Sequence, residues 1–186
     1  MTADLRAPIS LSDLEAVVAD DADLTLNHFH TLLLENPSFM QAARTFGDSF
    51  TDPAFVFSLA AGQRMLLLLE LLDMEVKNGG ITQFFFNRLP VVFEVREAFL
   101  LIGESEVLAQ YDKALESLAG NQERWGELRN AFHQQTPNWA AFQETYGLLD
   151  LGWFDDFYYR RARRPNRAVE YIRAHPAEFI TGAVPA

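Results

Sequence analysis

Residues 62–78 restrict the fold more than any other part of the chain. Placed on a helix at about 100° per residue, Met65 to Leu69, Leu71, Leu72, Met74 and Val76 cover nearly the whole circumference. Only Gln63, Glu70, Asp73 and Lys77 share a narrow polar stripe. A helix apolar on almost every side needs neighbours on almost every side, so it belongs in the middle of a bundle. The rest of the chain supplies them. Helical periodicity marks segments near 11–19, 23–35, 37–46, 53–60, 81–87, 90–102, 104–119, 121–134, 137–149, 151–163 and 166–174. No sustained apolar/polar alternation and no hairpin dipeptide between β-branched runs marks a strand. The expectation is an all-α, single-domain multi-helix bundle over 1–186. Helix 62–78 is buried at its centre, and N-terminal helices over 11–60 pack on it. A chain of 186 residues suits one core, and 16 Phe make that core aromatic.

The same helix raises a second question. Asp73 and Lys77 are four apart with the acid first, the favourable order for a surface pair. Glu75 instead points about 155° away from the stripe, to the side that should be buried. A carboxylate there needs partners. Asn78-Gly79 reads as a helix stop and predicts a positive φ at Gly79. Gly80 lets the chain reverse closely. Ile81 to Asn87 restarts as a short helix whose free N–H groups favour an anion. Glu75 is expected to bond to the turn from Asn78 to Gln83. Gln83 and Asn87 share a face, and Phe84, Phe85 and Phe86 require this helix to be buried.

The charge is unusual. The chain carries −11 and its pI is about 4.7. Residues 1–76 hold 3 basic and 12 acidic side chains, 77–159 hold 6 and 12, and 160–186 hold 6 and 2. A body at −15 is therefore followed by a segment at +4. Such a body repels phosphate backbones and anionic membrane surfaces and attracts basic proteins. There is no Cys, which removes disulfides, thiol catalysis and thiolate metal sites. That usage fits a reducing cytoplasm. Met1 to Ser10 lacks the apolar core of a signal peptide. Met65 to Leu72, interrupted by Glu70, is too short and too charged to span a bilayer.

The run Glu75-Val76-Lys77-Asn78-Gly79-Gly80-Ile81-Thr82-Gln83-Phe84-Phe85-Phe86-Asn87 resembles the signature of the DNA-mimic protein family, small acidic all-helical bacterial proteins otherwise grouped as a domain of unknown function. Phe99-Leu100-Leu101-Ile102-Gly103 with Val107, Leu108 and Ala114 is similar to that family's central helix pair. Trp153-Phe154-Asp155-Asp156-Phe157-Tyr158, then Tyr171, Ile172, His175, Pro176 and Phe179, is similar to its C-terminal end. The resemblance spans roughly 60–180. One departure stands out: the family continues after Asn87 with small polar residues and Gly, whereas this chain has Arg88-Leu89-Pro90, a stiffer turn. The resemblance implies a helical, self-associating protein that presents carboxylates to the DNA-binding face of a transcription factor. Within the motif, Glu75, Asn78, Gly79, Gly80, Gln83, Phe84, Phe85 and Asn87 are turn-formers and core rings, so they read mainly as structure.

No reaction is selected by the remaining residues. His28 and His30 are two apart and face different ways on a helix, so they cannot chelate one metal. His133 near a helix end and His175 before Pro176 read as surface or capping residues. Glu70 and Asp73, with Lys77 beside them, read as a solvated stripe rather than a metal site. No Gly-rich phosphate loop, nucleophile elbow or metalloprotease motif is present. No cofactor and no metal is expected.

The acids are the better lead. Asp112/Glu116 and Glu123/Glu127 are like-charge pairs four apart, each costing about 0.2–0.5 kcal/mol in a helix. Glu94/Glu97 and Glu104/Glu106 continue the theme, and Asp20, Asp21 and Asp23 cluster nearer the start. Such carboxylates lie about 5–6 Å apart at Cβ, comparable to neighbouring phosphates. Lys113, Arg124 and Arg129 interleave and partly neutralise these faces. The run Arg160-Arg161-Ala162-Arg163-Arg164, with Arg167 and Arg173, could neutralise acids of the same chain, meet a second copy in a homodimer, or touch nucleic acid. The last is disfavoured by the overall charge. The leading expectation is a cytoplasmic acidic interaction module, a DNA mimic for a basic DNA-binding protein, with no direct nucleic-acid or membrane binding. An immunity or regulatory protein without mimicry is the first alternative, and an enzyme with an unrecognised site the second.

Overall fold

The computed structural model describes residues 7–10, 37–45, 50, 52–120, 123, 125–133, 139–146, 149–161 and 166–182. The helices expected near 11–19 and 23–35, the Asp20–Asp23 cluster, His28 and His30 lie outside these residues. The described part is all-α apart from two short strands. In order it comprises β1 (Ala7–Ser10), α1 (Pro37–Thr45), α2 (Pro53–Ser58) and α3 (Ala61–Asn87), then a 3-10 turn (Leu89–Val91). There follow α4 (Val92–Leu101), α5 (Ser105–Ala119), α6 (Trp125–Phe132), α7 (Trp139–Tyr146), α8 (Gly152–Arg161), α9 (Asn166–Ala174), a second 3-10 turn (Pro176–Glu178) and β2 (Ile180–Gly182). The chain groups into two compact units, Met1–Leu67 with Arg163–Ala186, and Leu68–Ala162, with the division inside α3.

The first unit holds β1 and β2, which pair in parallel with Ala7 opposite Ile180 and Ser10 opposite Gly182. Strands of four and three residues are too short to leave an alternating pattern in the sequence. Asp52 caps α2, accepting from the Ala54 and Phe55 N–H groups at 2.8 and 3.3 Å, with Pro53 at the first helical position. The first turn of α3 is capped from far along the chain. The Gly62 N–H donates to Glu178 Oε2 at 2.5 Å, and the Tyr171 hydroxyl donates to Glu178 Oε1 at 3.0 Å. That bond and the adjacent charge, on top of burial, push the Tyr171 phenol up to about 12.

The second unit is built on the rest of α3. Leu68, Leu71, Leu72, Val76, Ile81, Phe84 and Phe85 are buried along it. Met74, expected inside, is 46% exposed, so the polar stripe is wider than its sequence suggests. Gln63, assigned to that stripe, is buried, and its amide nitrogen has no hydrogen-bond partner among the described residues. α4 ends in a left-handed Gly103, φ 70°, with Glu104 N–H on the Phe99 carbonyl and Gly103 N–H on that of Leu100. This paired capping pattern turns the chain into α5. The rings of Phe85, Phe99 and Phe154 surround Tyr111 edge-on at 5.6–6.2 Å. The buried Tyr111 hydroxyl finds its acceptor in the Val92 carbonyl at 2.7 Å.

Candidate functional site

The Glu75 turn is built from a break in α3. Gly79 has φ −161°, ψ 18°, and Gly80 has φ 83°, ψ 176°. The positive φ expected at Gly79 therefore belongs to Gly80, and Gly79 is extended. The stop is shifted by one residue, and α8 sits against Gly80. A Cβ there would run into the Asp155 carboxylate, while a Cβ on Gly79 would run into the Gln83 side chain. Backbone conformation and space both demand glycine at position 80.

Glu75 is 4% exposed. Its Oε2 accepts from Gln83 Nε2 and Asn87 Nδ2, both at 2.8 Å, and its Oε1 accepts from Arg88 Nε at 2.7 Å, with Arg88 Nη2 also at 2.7 Å. Burial pushes this carboxyl up, but the two amide donors and the Arg88 guanidinium outweigh it and hold the group below its ordinary range. The partners are side chains, not the backbone N–H groups of the restarted helix. Those meet a different anion: the Ile81 N–H donates to Asp155 Oδ1 at 2.7 Å. Burial lifts the Asp155 carboxyl above its usual range, the bond from Ile81 opposes this, and the charge of Asp156 adds to it. One turn further along α8, the Tyr159 hydroxyl donates to the Val76 carbonyl at 2.8 Å. Asp155 and Tyr159 thus secure both sides of the break. Arg88, where the chain departs from the resembled family, completes the Glu75 site. In the motif, Phe84 and Phe85 are core residues, Gln83 and Asn87 are half-buried, and Asn78 and Gly79 are exposed.

The eight candidate partner-binding acids do not form one row. Glu94 is 1% exposed; its Oε1 takes Arg129 Nε at 2.7 Å and faces His133 Nε2 at 2.9 Å, and its Oε2 is buried with no hydrogen bond among the described residues. It lies within the apolar first turn of α4, between Phe93 and Val95, and cannot be offered to a partner. Glu97 holds the other side of Arg129 at 2.8 Å. Asp112 is clamped by Arg96 at 2.9 and 3.3 Å. Glu106 pairs with Arg161. Glu104 is half-buried, and Glu116 and Glu123 are exposed. The side chain of Glu127 lies outside the described residues. His133, expected as a surface or capping residue, is half-buried against Glu94.

The basic segment is partly absorbed by the same chain. Arg161 meets Glu106, Arg160 Nε donates to the Asp156 carbonyl at 2.9 Å, and Arg167 and Glu170 form an exposed pair at 3.5 Å. Arg163 and Arg164 lie outside the described residues. His175 stacks on Tyr171 at 4.1 Å beyond the end of α9, in keeping with a stop before Pro176. Among the described residues, no group of three or more His, Asp or Glu could hold a metal ion, and no helix is long and apolar enough to cross a membrane.

The model of the DMP19-like protein family matches residues 58–175, which takes in the Glu75 turn, the paired acids and α8. The chain belongs to the DMP19-like family. That family is not named for a reaction. No curated protein and no solved structure matches the chain.

Proposed function

We propose that this DMP19-like chain is a non-enzymatic cytoplasmic protein that occupies the DNA-binding face of a basic protein and competes there with DNA. The observation that carries this reading is how residues 68–162 use their cations. Lys77 is matched to Asp73, Arg88 to Glu75, Arg96 to Asp112, Arg129 to Glu94 and Glu97, and Arg161 to Glu106. The segment has 15 acidic and 8 basic residues, a net charge of −7. Five of the eight cations are paired internally, and the net negative charge leaves exposed carboxylates at Glu123, Glu144, Asp150 and Asp156. A surface of this kind steers basic partners and repels nucleic acid. Membership of a family named for DNA mimicry supports the same reading.

The test is displacement. A basic partner is captured from the native host, identified by mass spectrometry, and loaded with fluorescent DNA. Adding this protein should lower the anisotropy, less so as salt rises. Reversal of Glu116 and Glu123 to Lys should weaken displacement while the helical spectrum is kept. Asp112 is not suitable for such reversal, because it anchors Arg96. A partner that binds this protein and DNA together, or binding indifferent to salt and to reversal, would count against mimicry and favour a non-mimetic regulatory protein.

A further inference from the structure

The outer side of α8 has no role in the interior. Its inner side is fixed by Asp155 on Ile81 and the buried Phe154 and Tyr158, and Tyr159 reaches the Val76 carbonyl with its hydroxyl while about half of its surface stays exposed. Facing outward are Trp153, Asp156, Tyr159 and Arg160, spaced as one helix face. Trp153 is 38% and Tyr159 49% exposed, and they are the two exposed large aromatics among the described residues of this unit. Asp156 lies between them and exposed Asp150 just before the helix. Arg160 turns its Nε back onto the Asp156 carbonyl.

We propose that this face is the contact surface for an arginine-bearing partner, with Trp153 and Tyr159 receiving guanidinium groups and Asp156 and Asp150 pairing with their charge. The proposal rests on the reading of the partner as a basic protein. A guanidinium is planar and less strongly hydrated than an ammonium, so it stacks on aromatic faces more often and more favourably. The chain already uses this chemistry internally, with Arg96 5.8 Å over Trp125 and Arg161 5.9 Å over Phe157. Trp and Tyr are also the side chains that dominate protein contacts. Both are carried on a helix fastened at Asp155 and Tyr159, so little ordering is required on binding. The surplus negative charge of residues 68–162 selects the sign of the partner.

The full-length protein is titrated with two synthetic peptides of equal length and charge, one arginine-rich and one lysine-rich, and followed by amide and indole NMR shifts. The arginine peptide should bind more tightly and shift the Trp153 indole and residues 152–160 most. Trp153→Leu, which keeps apolar bulk and loses the aromatic face, should weaken it about two- to fivefold and erase the preference over lysine. Asp156→Asn should weaken both peptides by a similar factor at low salt. Equal affinity for the two peptides, shifts centred on Glu116 and Glu123, or α8 shifts that follow protein concentration without peptide would each overturn the proposal; the last would mark a contact between copies. The two readings fail separately. If Trp153→Leu displaces DNA from the captured partner undiminished, the surface falls and mimicry stands. If the unmodified protein displaces no DNA yet the peptide maps to α8, mimicry falls and the surface stands.

Discussion

Among the described residues of 68–162 two glutamates are buried, and they solve the same problem in opposite ways. Glu75 receives donors on both oxygens, all from residues 8 to 13 positions further along. Glu94 receives two on one oxygen, from Arg129 and His133, 35 and 39 positions away, and its other oxygen is buried without a partner among the described residues. A local return of the chain can enclose a carboxylate completely, because the break at Gly79–Gly80 fixes where Gln83, Asn87 and Arg88 fall. A carboxylate served by a distant helix depends on how that helix docks. Its unsatisfied oxygen carries a desolvation cost that only the strength of the Arg129 pair offsets.

The contrast can be broken most sharply at Glu94. Glu94→Ala strips Arg129 and His133 of their interior partner and should destabilise by about 3 kcal/mol, with Glu97 still holding Arg129. Glu75→Ala should cost less, about 2 kcal/mol, since Arg88 can turn to solvent. Urea unfolding of both variants decides the order, and a reversed order would mean that the local site is the more strongly coupled one. The pH dependence sharpens the point. Glu75 has its folded pKa below the unfolded value of 4.5, so its contribution is present above 4.5 and is lost as pH falls through the lower folded value. Asp155 has its folded pKa above 3.8, so its contribution is present below 3.8 and is lost as pH rises through the folded value. Glu75→Gln should therefore flatten the loss of stability below pH 4.5, and Asp155→Asn should steepen it, as read from urea midpoints at successive pH values. A smaller effect is expected at the break itself. Tyr159→Phe removes one donor from the Val76 carbonyl and should cost about 1 kcal/mol in the same assay. Smallest of all, reversal of Glu123 should stay within about 0.5 kcal/mol, because its side chain is exposed.

What could be read in advance follows the same division. The burial of Glu75 was visible because helical period places it opposite Gln63, Glu70 and Asp73, and its partners Gln83 and Asn87 lie in the next few turns. Arg88 was visible only as a departure from the family pattern. Asp155 as the anion at Ile81 was not, since 74 residues separate them and no period links them. Glu94 shows the limit most plainly. Its apolar surroundings, Val91-Val92-Phe93 and Val95, signal burial, yet pairing it with Glu97 by spacing placed it on a surface row. Helix positions followed from periodicity to within a few residues for α1 to α9, whereas the grouping of 163–186 with 1–67 depends on contacts that no local pattern encodes.

That grouping has a consequence for how the molecule comes into being on the ribosome. The carboxylate on Gly62 belongs to Glu178, and β1 pairs with residues 180–182, so these contacts cannot form until the chain past residue 182 has been synthesised. Residues 68–162 form a unit that is contiguous in sequence. The order of emergence is therefore the reverse of the usual N-terminal-first sequence: the middle of the chain can be finished while the opening segment is still waiting for its closing partner.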